Sequence, residues 1–225
     1  MRSGWRLLLL VDEAEEFLAV ARTDTVVLAR LRRIFQKGPD VRTVLTATKR
    51  LARIDEISDI DTSPFLQGFI PPVYLTPLAA DEARSLLARG QFSKDEVEMV
   101  LERTANHPFL VQLIASRLFE SRDLSATLDQ VAADEMVGNF FSVDFQTLDE
   151  SERTLLEEIA REGTLSRRAL ALAVARSEEA LEPQLFGLLR MGYLKETDGL
   201  LRVGNWFFER WLKRVSSARE ARTLS

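Results

Sequence analysis

The chain has 225 residues, a formal net charge of −5 and no cysteine. This length allows a sizeable core divided among two or three units. The absence of cysteine excludes disulfides and thiolate nucleophiles, and a single histidine, His107, excludes a multi-histidine zinc site. The net negative charge gives no reason to expect nucleic-acid binding over the whole surface.

The first predicted element is a strand at 7–11, followed directly by Asp12 and Glu13. A continuous apolar run is typical of a parallel strand covered by helices on both faces. Ligands bind at the carboxyl ends of such strands, which is where Asp12 and Glu13 emerge. The run is too short to span a bilayer, and no small-residue cleavage site follows it closely. We therefore expect a cytoplasmic protein that does not associate with a membrane.

The next elements alternate between helix and strand. A helix is predicted at 23–37, a strand at 41–47, a polar loop at 55–63 and a third strand at 73–76 between prolines. This alternation predicts an α/β fold for the first part of the chain. The helix is indicated by an apolar stripe at helical spacing, formed by Val26, Val27, Arg30, Leu31 and Ile34.

Only helices are predicted in the middle of the chain. They span 80–88, a helix opened by Ser93 with Glu96 in a capping box, 108–120 and 125–137. Gly138 and Asn139 then indicate a boundary.

The last part combines helices with a hairpin. Helices are predicted at 149–162, 165–175 and 178–191, and strands at 193–197 and 200–204 flank the turn formed by Asp198 and Gly199. A closing aromatic helix follows, and the chain after Val215 is predicted to be disordered. Three helices, a hairpin and a closing helix predict a winged helix.

Four stretches together resemble the AAA+/STAND class of P-loop ATPases. LLLLVDE at 7–13 is similar to the Walker B strand, and VRTVLTAT at 41–48 to the sensor 1 strand. YLTPLAADEARSLL at 74–87 resembles the junction between strand and lid. TANHPFLVQLIASRL at 104–118 resembles the lid motif Gly-x-Pro, with Asn106 in place of the glycine.

The resemblance implies an α/β plus all-α architecture. Residues 1–77 are expected to form part of a P-loop (AAA+) parallel sheet, 78–139 a helical lid, 140–217 a C-terminal winged helix and 218–225 a flexible tail. The implied cofactors are ATP and Mg²⁺, and their binding requires that a Walker A segment is also supplied.

The resemblance also implies roles for single residues. Asp12 is expected to hold Mg²⁺ through water, and Glu13 to orient the water that attacks the γ-phosphate. Thr48 is expected to contact that water or the γ-phosphate, and His107 and Pro108 to lie near the adenine. The arginines that follow the sensor strand, Arg50 and Arg53, are candidates for contacting a neighbouring subunit's phosphate.

The phosphate-binding loop of this class is missing. No segment fits G-x-x-x-x-G-K-[ST], whose amides and lysine cradle the phosphates, so this loop is expected to lie before Met1. Either the chain is the C-terminal part of a longer ATPase, or it is a short protein in which the strands at 42–47 and 73–76 close up directly. The intact pair of Asp12 and Glu13 favours the first explanation. Both predict that the chain alone does not hydrolyse ATP.

The predicted function is to couple nucleotide state to a protein partner, or to self-association, through the winged helix. The alternative is a non-catalytic winged-helix module that binds protein or DNA and keeps a vestigial nucleotide fold. DNA is disfavoured because the helix at 178–191, which would enter the major groove, carries Glu178, Glu179 and Glu182 against Arg190.

Overall fold

The computed structural model describes residues 6–37, 40–48, 50–51, 54, 64–69 and 71–223. The chain divides into two compact units, Met1–Val73 and Tyr74–Ser225. The finer division into 1–77, 78–139, 140–217 and 218–225 stays a prediction, and helices continue across 139 and 217. In the first unit the helices and strands are, in chain order, β1 (Leu7–Val11), α1 (Phe17–Thr23), α2 (Thr25–Lys37) and β2 (Val41–Leu45).

The sheet of the first unit consists of β1 and β2, which pair in parallel from Leu7 opposite Val41 to Val11 opposite Leu45. Since side chains alternate between the faces, one face carries Val11 and Leu45 and packs on the core beneath α1 and α2. The residues of this core are Ala14, Leu18, Ala21, Leu28, Leu51, Ile54 and Phe65.

No described element packs on the other face of this sheet. Leu8, Leu10 and Val44 are exposed at 59, 72 and 50%. The sequence-based expectation of helices on both faces is therefore wrong for the part of the chain that the structure describes.

The helix predicted at 23–37 is observed as α2 from Thr25 onward, while Thr23 belongs to the separate helix α1. Thr23 ends α1, and Asp24 separates it from α2 by accepting a hydrogen bond from the backbone N of Val27 (2.9 Å). A short 3-10 turn at 14–16 and α1 were both missed. The apolar stripe at helical spacing is not the buried face of this helix, because Val26 and Ile34 are exposed at 60 and 54%. The helix has apolar residues on two faces, and the one that contains Leu28 packs on the core.

The second unit carries most of the helices. In chain order its elements are α3 (Ala80–Leu87), α4 (Lys94–Thr104), α5 (Pro108–Ser121), α6 (Leu124–Ala133), α7 (Glu135–Gln146), α8 (Glu150–Glu162), β3 (Leu165–Ser166), α9 (Arg167–Ala173), α10 (Glu178–Arg190), β4 (Leu194–Thr197), β5 (Leu200–Val203) and α11 (Trp206–Thr223). The strands form an antiparallel sheet in the order β3-β5-β4. One continuous hydrophobic core extends from Ala83 in α3 to Leu212 in α11. Among the described residues, no helix combines the length and apolar character needed to cross a bilayer.

The third predicted strand, at 73–76, does not form. Residues 72–79 have no regular secondary structure, and Val73 and Leu75 are exposed at 89 and 96%. Prolines at 71, 72 and 77 remove backbone donors on both sides of this segment. Direct pairing of the segment with β2, which the short-protein explanation required, is therefore not observed.

Two predicted boundaries in the second unit also differ. The helix predicted at 125–137 ends at Ala133, because Asp134 caps a new helix by accepting a hydrogen bond from the backbone N of Met136 (2.8 Å). Gly138 and Asn139 lie inside that helix, α7, instead of at a break. The helix predicted at 165–175 begins with the short strand β3, and Ser166 then caps α9.

The predicted disorder after Val215 is wrong, since α11 continues to Thr223. The segment contains alanine, arginine and glutamate, which are good helix formers.

The hairpin and its flanks follow the prediction closely. Asp198 and Gly199 both have positive φ angles (52° and 74°), as a two-residue hairpin turn of type I′ requires. Gly204 lies against the backbone of Gly192, where a Cβ atom would be 2.1 Å from the carbonyl oxygen. Gly204 also donates a hydrogen bond to the carbonyl of Tyr193 (2.7 Å). This close approach brings the start of the hairpin next to the start of α11.

Candidate functional site

The carboxyl ends of β1 and β2 hold the carboxylate of Asp12. Its Oδ1 accepts hydrogen bonds from the backbone N of Glu13 (3.0 Å) and from the hydroxyl of Thr46. Thr46 is itself fixed by two backbone bonds, since its N donates to Val11 O (2.9 Å) and its O accepts from Ala14 N (3.0 Å). The site is therefore built where the two parallel strands end side by side.

These bonds set the charge of Asp12. The hydroxyl of Thr46 and then the backbone N–H of Glu13 lower the pKa of Asp12 below its ordinary value, and burial opposes them only weakly. Hydrogen bonds to the charged form stabilise a carboxylate. Asp12 is thus ionised at neutral pH, in an exposed position that a hydrated cation can reach.

Glu13 turns the chain away from the strand. Its backbone has φ 52° and ψ 41°, a left-handed conformation that is uncommon outside glycine, and its carbonyl accepts a hydrogen bond from the N of Glu16 (3.0 Å). Within the described part of the chain, no hydrogen bond to its carboxylate is formed. The side chain of Glu13 is exposed and is free to orient a water molecule or to accept its proton.

Thr48 lies near this site but contacts a different carboxylate. Its backbone N donates to Oε2 of Glu15 (3.2 Å), while the threonine hydroxyl that reaches Asp12 belongs to Thr46. Thr46 was not among the residues predicted from the sequence. The signal that could have found it is the strand register, because one step beyond Val11 opposite Leu45 places Thr46 opposite Asp12.

The side chains around Asp12 determine whether this site fits a magnesium ion. Among the described residues, no group of three or more His, Cys, Asp or Glu side chains converges as a metal site would require. Magnesium in nucleotide sites uses one or two carboxylates together with phosphates and water. Asp12 therefore fits as one ligand of such an ion, and the phosphates and water would complete its coordination.

His107 and Pro108 lie in the second unit. Pro108 is the first residue of α5, and the ring of His107 packs edge-to-face on Phe140 with centroids 5.4 Å apart. Its Nδ1 is buried with no hydrogen-bond partner in the described structure. Burial lowers the pKa of His107, and the charge of Asp144 opposes this shift, so the ring is neutral at pH 7. The predicted adenine contact of both residues stays a prediction.

Of the two arginines expected near a neighbouring phosphate, Arg50 is exposed, and Arg53 lies outside the described residues. Their predicted role is untested.

The outward face of α10 carries both charged and aromatic side chains. Arg167 forms ion pairs with Glu182 of this helix (2.6 Å) and with Glu196 of β4 (2.8 Å). Further along the helix Phe186 is 64% exposed, and the guanidinium of Arg190 lies 4.1 Å from the ring centroid of Tyr74. Arg167, a basic group beside this helix, is therefore already paired with carboxylates.

No protein-family model matches the chain, and no curated protein matches its sequence. Among solved structures it is similar to the Walker-type ATPase PABY2304 of Pyrococcus abyssi, with a TM-score of 0.66 and 18% sequence identity. The similarity covers 92% of this chain and 63% of that protein. The chain has a P-loop ATPase-like fold. At this identity the likeness shows the fold alone, and the chain spans about 63% of the neighbour's length.

Proposed function

We propose that the chain is the C-terminal portion of a Walker-type ATPase of the AAA+/STAND class, and that a separate segment supplies the phosphate-binding loop. That segment lies either upstream in the same polypeptide or on another chain. The fold likeness supports this proposal, because more than a third of the Pyrococcus ATPase has no counterpart among the aligned residues. The sequence itself contains no G-x-x-x-x-G-K-[ST].

The observation that carries the proposal is the uncovered apolar face of the sheet beside Asp12. A two-stranded sheet with one open face is marginally stable in water. Burying a leucine or valine side chain fully contributes about 1.5–3 kcal/mol relative to leaving it exposed. A further segment packed on Leu8, Leu10 and Val44 would gain this energy and would place its own loop near the carboxyl ends of β1 and β2.

Each site residue has one role in the proposed hydrolysis of ATP. A bound magnesium ion supplies positive charge that neutralises the phosphate oxygens. Asp12 holds the ion through water, and Thr46 fixes the orientation of that carboxylate. Glu13 orients the attacking water. Thr48 contacts that water or the γ-phosphate, and His107 with Pro108 borders the adenine.

The helices at 78–139 would form the lid, and residues 140–217 a winged helix that transmits the nucleotide state to a protein partner or to another copy of the chain. The element order from α8 to α11 supports a winged helix. A protein partner is favoured over DNA because Arg167 is held by Glu182 and Glu196, while Phe186 is exposed on the same helix as Glu182. Duplex DNA should therefore not shift in an electrophoretic mobility assay at sub-micromolar protein, and a salt-dependent shift would reverse this preference.

The nucleotide proposal is tested in two steps. The purified chain alone should show no magnesium-dependent ATP hydrolysis above background. The genomic sequence within about one hundred residues before Met1 should encode an in-frame G-x-x-x-x-G-K-[ST], and the longer chain should hydrolyse ATP.

In the longer chain, Glu13→Gln should lower kcat by about a hundredfold or more, since the residue orients the water in the transition state. Asp12→Asn should raise the magnesium concentration needed for half-maximal activity. Robust hydrolysis by the 225-residue chain itself, or an active longer chain that tolerates both substitutions, would overturn the proposal.

A further inference from the structure

A cleft of about 400 Å³ lies in the second unit between α7, α8 and α11. Its size falls within the range of about 300–1,000 Å³ that is typical of small-molecule sites. Gly138 lies in its wall beside Arg214 and Trp211, since a Cβ atom there would be 3.5 Å from Nη2 of Arg214 and 3.8 Å from the indole nitrogen of Trp211. The buried ring of Trp211 contributes to the floor of the cleft, and Asn139 adds an amide to its rim.

Two arginines face this cleft without a carboxylate partner in the described structure. Arg153 is half-buried, and its Nε donates only to the carbonyl O of Asp149 (3.4 Å). Arg214 is exposed and forms no ion pair with the described residues. Several other arginines of this unit are instead paired with acidic side chains, namely Arg84, Arg117, Arg161, Arg167 and Arg210.

One acidic group, Glu135, also borders the cleft. Two guanidinium groups against one carboxylate leave a local excess of positive charge in a chain whose net charge is −5. The planar guanidinium fork binds carboxylate and phosphate oxygens through paired hydrogen bonds. A small anion would therefore satisfy donors for which the described structure provides no carboxylate acceptor.

We propose that this cleft binds a small organic anion through Arg153 and Arg214, with phosphate or carboxylate groups as the recognised chemistry. The site is independent of the nucleotide proposal, because none of its residues belongs to the Asp12 site. A ligand held by residues of α7, α8 and α11 would stabilise the packing of these three helices by mass action.

The test uses isothermal titration calorimetry on the full chain, with pyrophosphate and citrate as separate probes. At least one probe should bind saturably. Arg214→Gln and Arg153→Gln should each weaken that binding about tenfold or more, because each removes a charge-assisted hydrogen-bond donor group. Glu135→Gln should strengthen it, since it removes the opposing charge. The matched control is Arg168→Gln, an exposed arginine on α9, which should leave the affinity unchanged.

The outcomes separate the ligand classes. Binding of pyrophosphate alone assigns phosphate, binding of citrate alone assigns carboxylate, and similar binding of both assigns a general polyanion site. Absence of saturable binding by either probe, or equal weakening by Arg168→Gln, would overturn the proposal. Circular dichroism shows whether each variant is folded. If Arg214→Gln does not fold, the opposite effects expected of Arg153→Gln and Glu135→Gln decide the question.

Discussion

The two units of the chain use apolar residues in different ways. In the second unit they form one continuous core, in which Leu156 and Leu188 are fully buried. In the first unit apolar residues lie on both faces of the sheet; among the described residues one face packs on a core, and Leu10 on the other face is 72% exposed. The second unit is built to be stable through its own contacts, whereas the first presents a surface suited to further contact.

Polar side chains show the same difference. In the second unit Asn205 and Tyr193 are largely buried and hydrogen-bonded to groups far away in the sequence. In the first unit the polar contact between the two strand ends, from Thr46 to Asp12, is exposed to solvent. Buried polar contacts contribute to stability and uniqueness of the fold. An exposed ionised carboxylate at the end of a strand is instead available to a ligand.

The largest effect that tests this difference is expected in the core. Leu156→Ala should destabilise the second unit by about 2–5 kcal/mol, because it leaves a cavity in a closely packed region. Leu10→Ala should change the stability of the first unit by about 0.5 kcal/mol or less, since the side chain is mostly in water. Urea unfolding followed by circular dichroism measures both values. A comparable loss in the two variants would show that the exposed sheet face is packed in solution.

The sequence predicted those elements whose signals are local. The capping boxes of Ser93 with Glu96 and of Asp149 with Glu152 are both observed, as is the turn at Asp198 and Gly199. In each case the deciding hydrogen bond or backbone angle lies within three residues. Such features are formed by neighbours in the sequence and need no knowledge of the tertiary structure.

The predictions from the sequence were wrong where tertiary contacts determine the structure. Either face of α2 could have been the buried one, and packing against the core selects that of Leu28 over that of Val26 and Ile34. The segment at 73–76 has a strand-like sequence but forms no strand. At the site, Asp12 was placed correctly at a strand end, but the importance of Thr46 depends on the register between β1 and β2.

The next largest effect on stability is expected at Asn205, whose hydrogen bonds connect α11 to the end of α4. Its Oδ1 accepts from the backbone N of Phe207 (2.9 Å) and Phe208 (3.1 Å), and its Nδ2 donates to the carbonyl of Thr104 (3.3 Å). Asn205→Ala should cost about 1–3 kcal/mol, because it removes a helix cap and leaves buried groups unsatisfied.

Asn205→Asp is the comparison variant, since it keeps the cap acceptor but replaces the donor to Thr104 with a carboxylate oxygen. It should retain part of the stability in thermal unfolding at neutral pH. Equal losses in both variants would mean that the contact with Thr104, and not the cap, is the important one.

A smaller effect on stability is expected from the ionisation of Tyr193 at high pH. Its hydroxyl donates to Oδ1 of Asp144 (2.7 Å), and burial, followed by the charge of Asp144, raises the pKa of Tyr193 above its ordinary value. The folded state therefore holds the phenolic proton more tightly than the unfolded state. The resulting stability is fully present below the ordinary tyrosine pKa of about 10 and is lost as the pH rises beyond it.

Tyr193→Phe should be about 1 kcal/mol less stable at pH 8, because the hydrogen bond is lost. Its stability should also fall less steeply than that of the original chain between about pH 9 and about pH 11. Urea unfolding at several pH values measures both slopes. Identical slopes would show that Tyr193 is accessible to solvent.

The smallest effect is local to the first unit and concerns the charge of Asp12. Thr46→Val keeps the size and branching of the side chain but removes the hydroxyl donor, so the pKa of Asp12 should rise toward its ordinary value. Thr46→Ser retains the hydroxyl and should leave the pKa of Asp12 near that of the original chain. Carbon-detected NMR of the Asp12 carboxyl during an acid titration measures the change directly.

The lowered pKa of Asp12 also makes the free energy of unfolding depend on pH. The folded-state pKa of Asp12 is lowered, so its contribution is present above the ordinary aspartate pKa and is lost as the pH falls through the lowered value. Because the carboxylate is exposed, water screens this contribution, and the NMR shift is a more sensitive readout than unfolding. An unchanged pKa of Asp12 in Thr46→Val would mean that the two strand ends are not joined by this hydrogen bond in solution. Thr46 would then have no part in orienting the carboxylate proposed to hold magnesium.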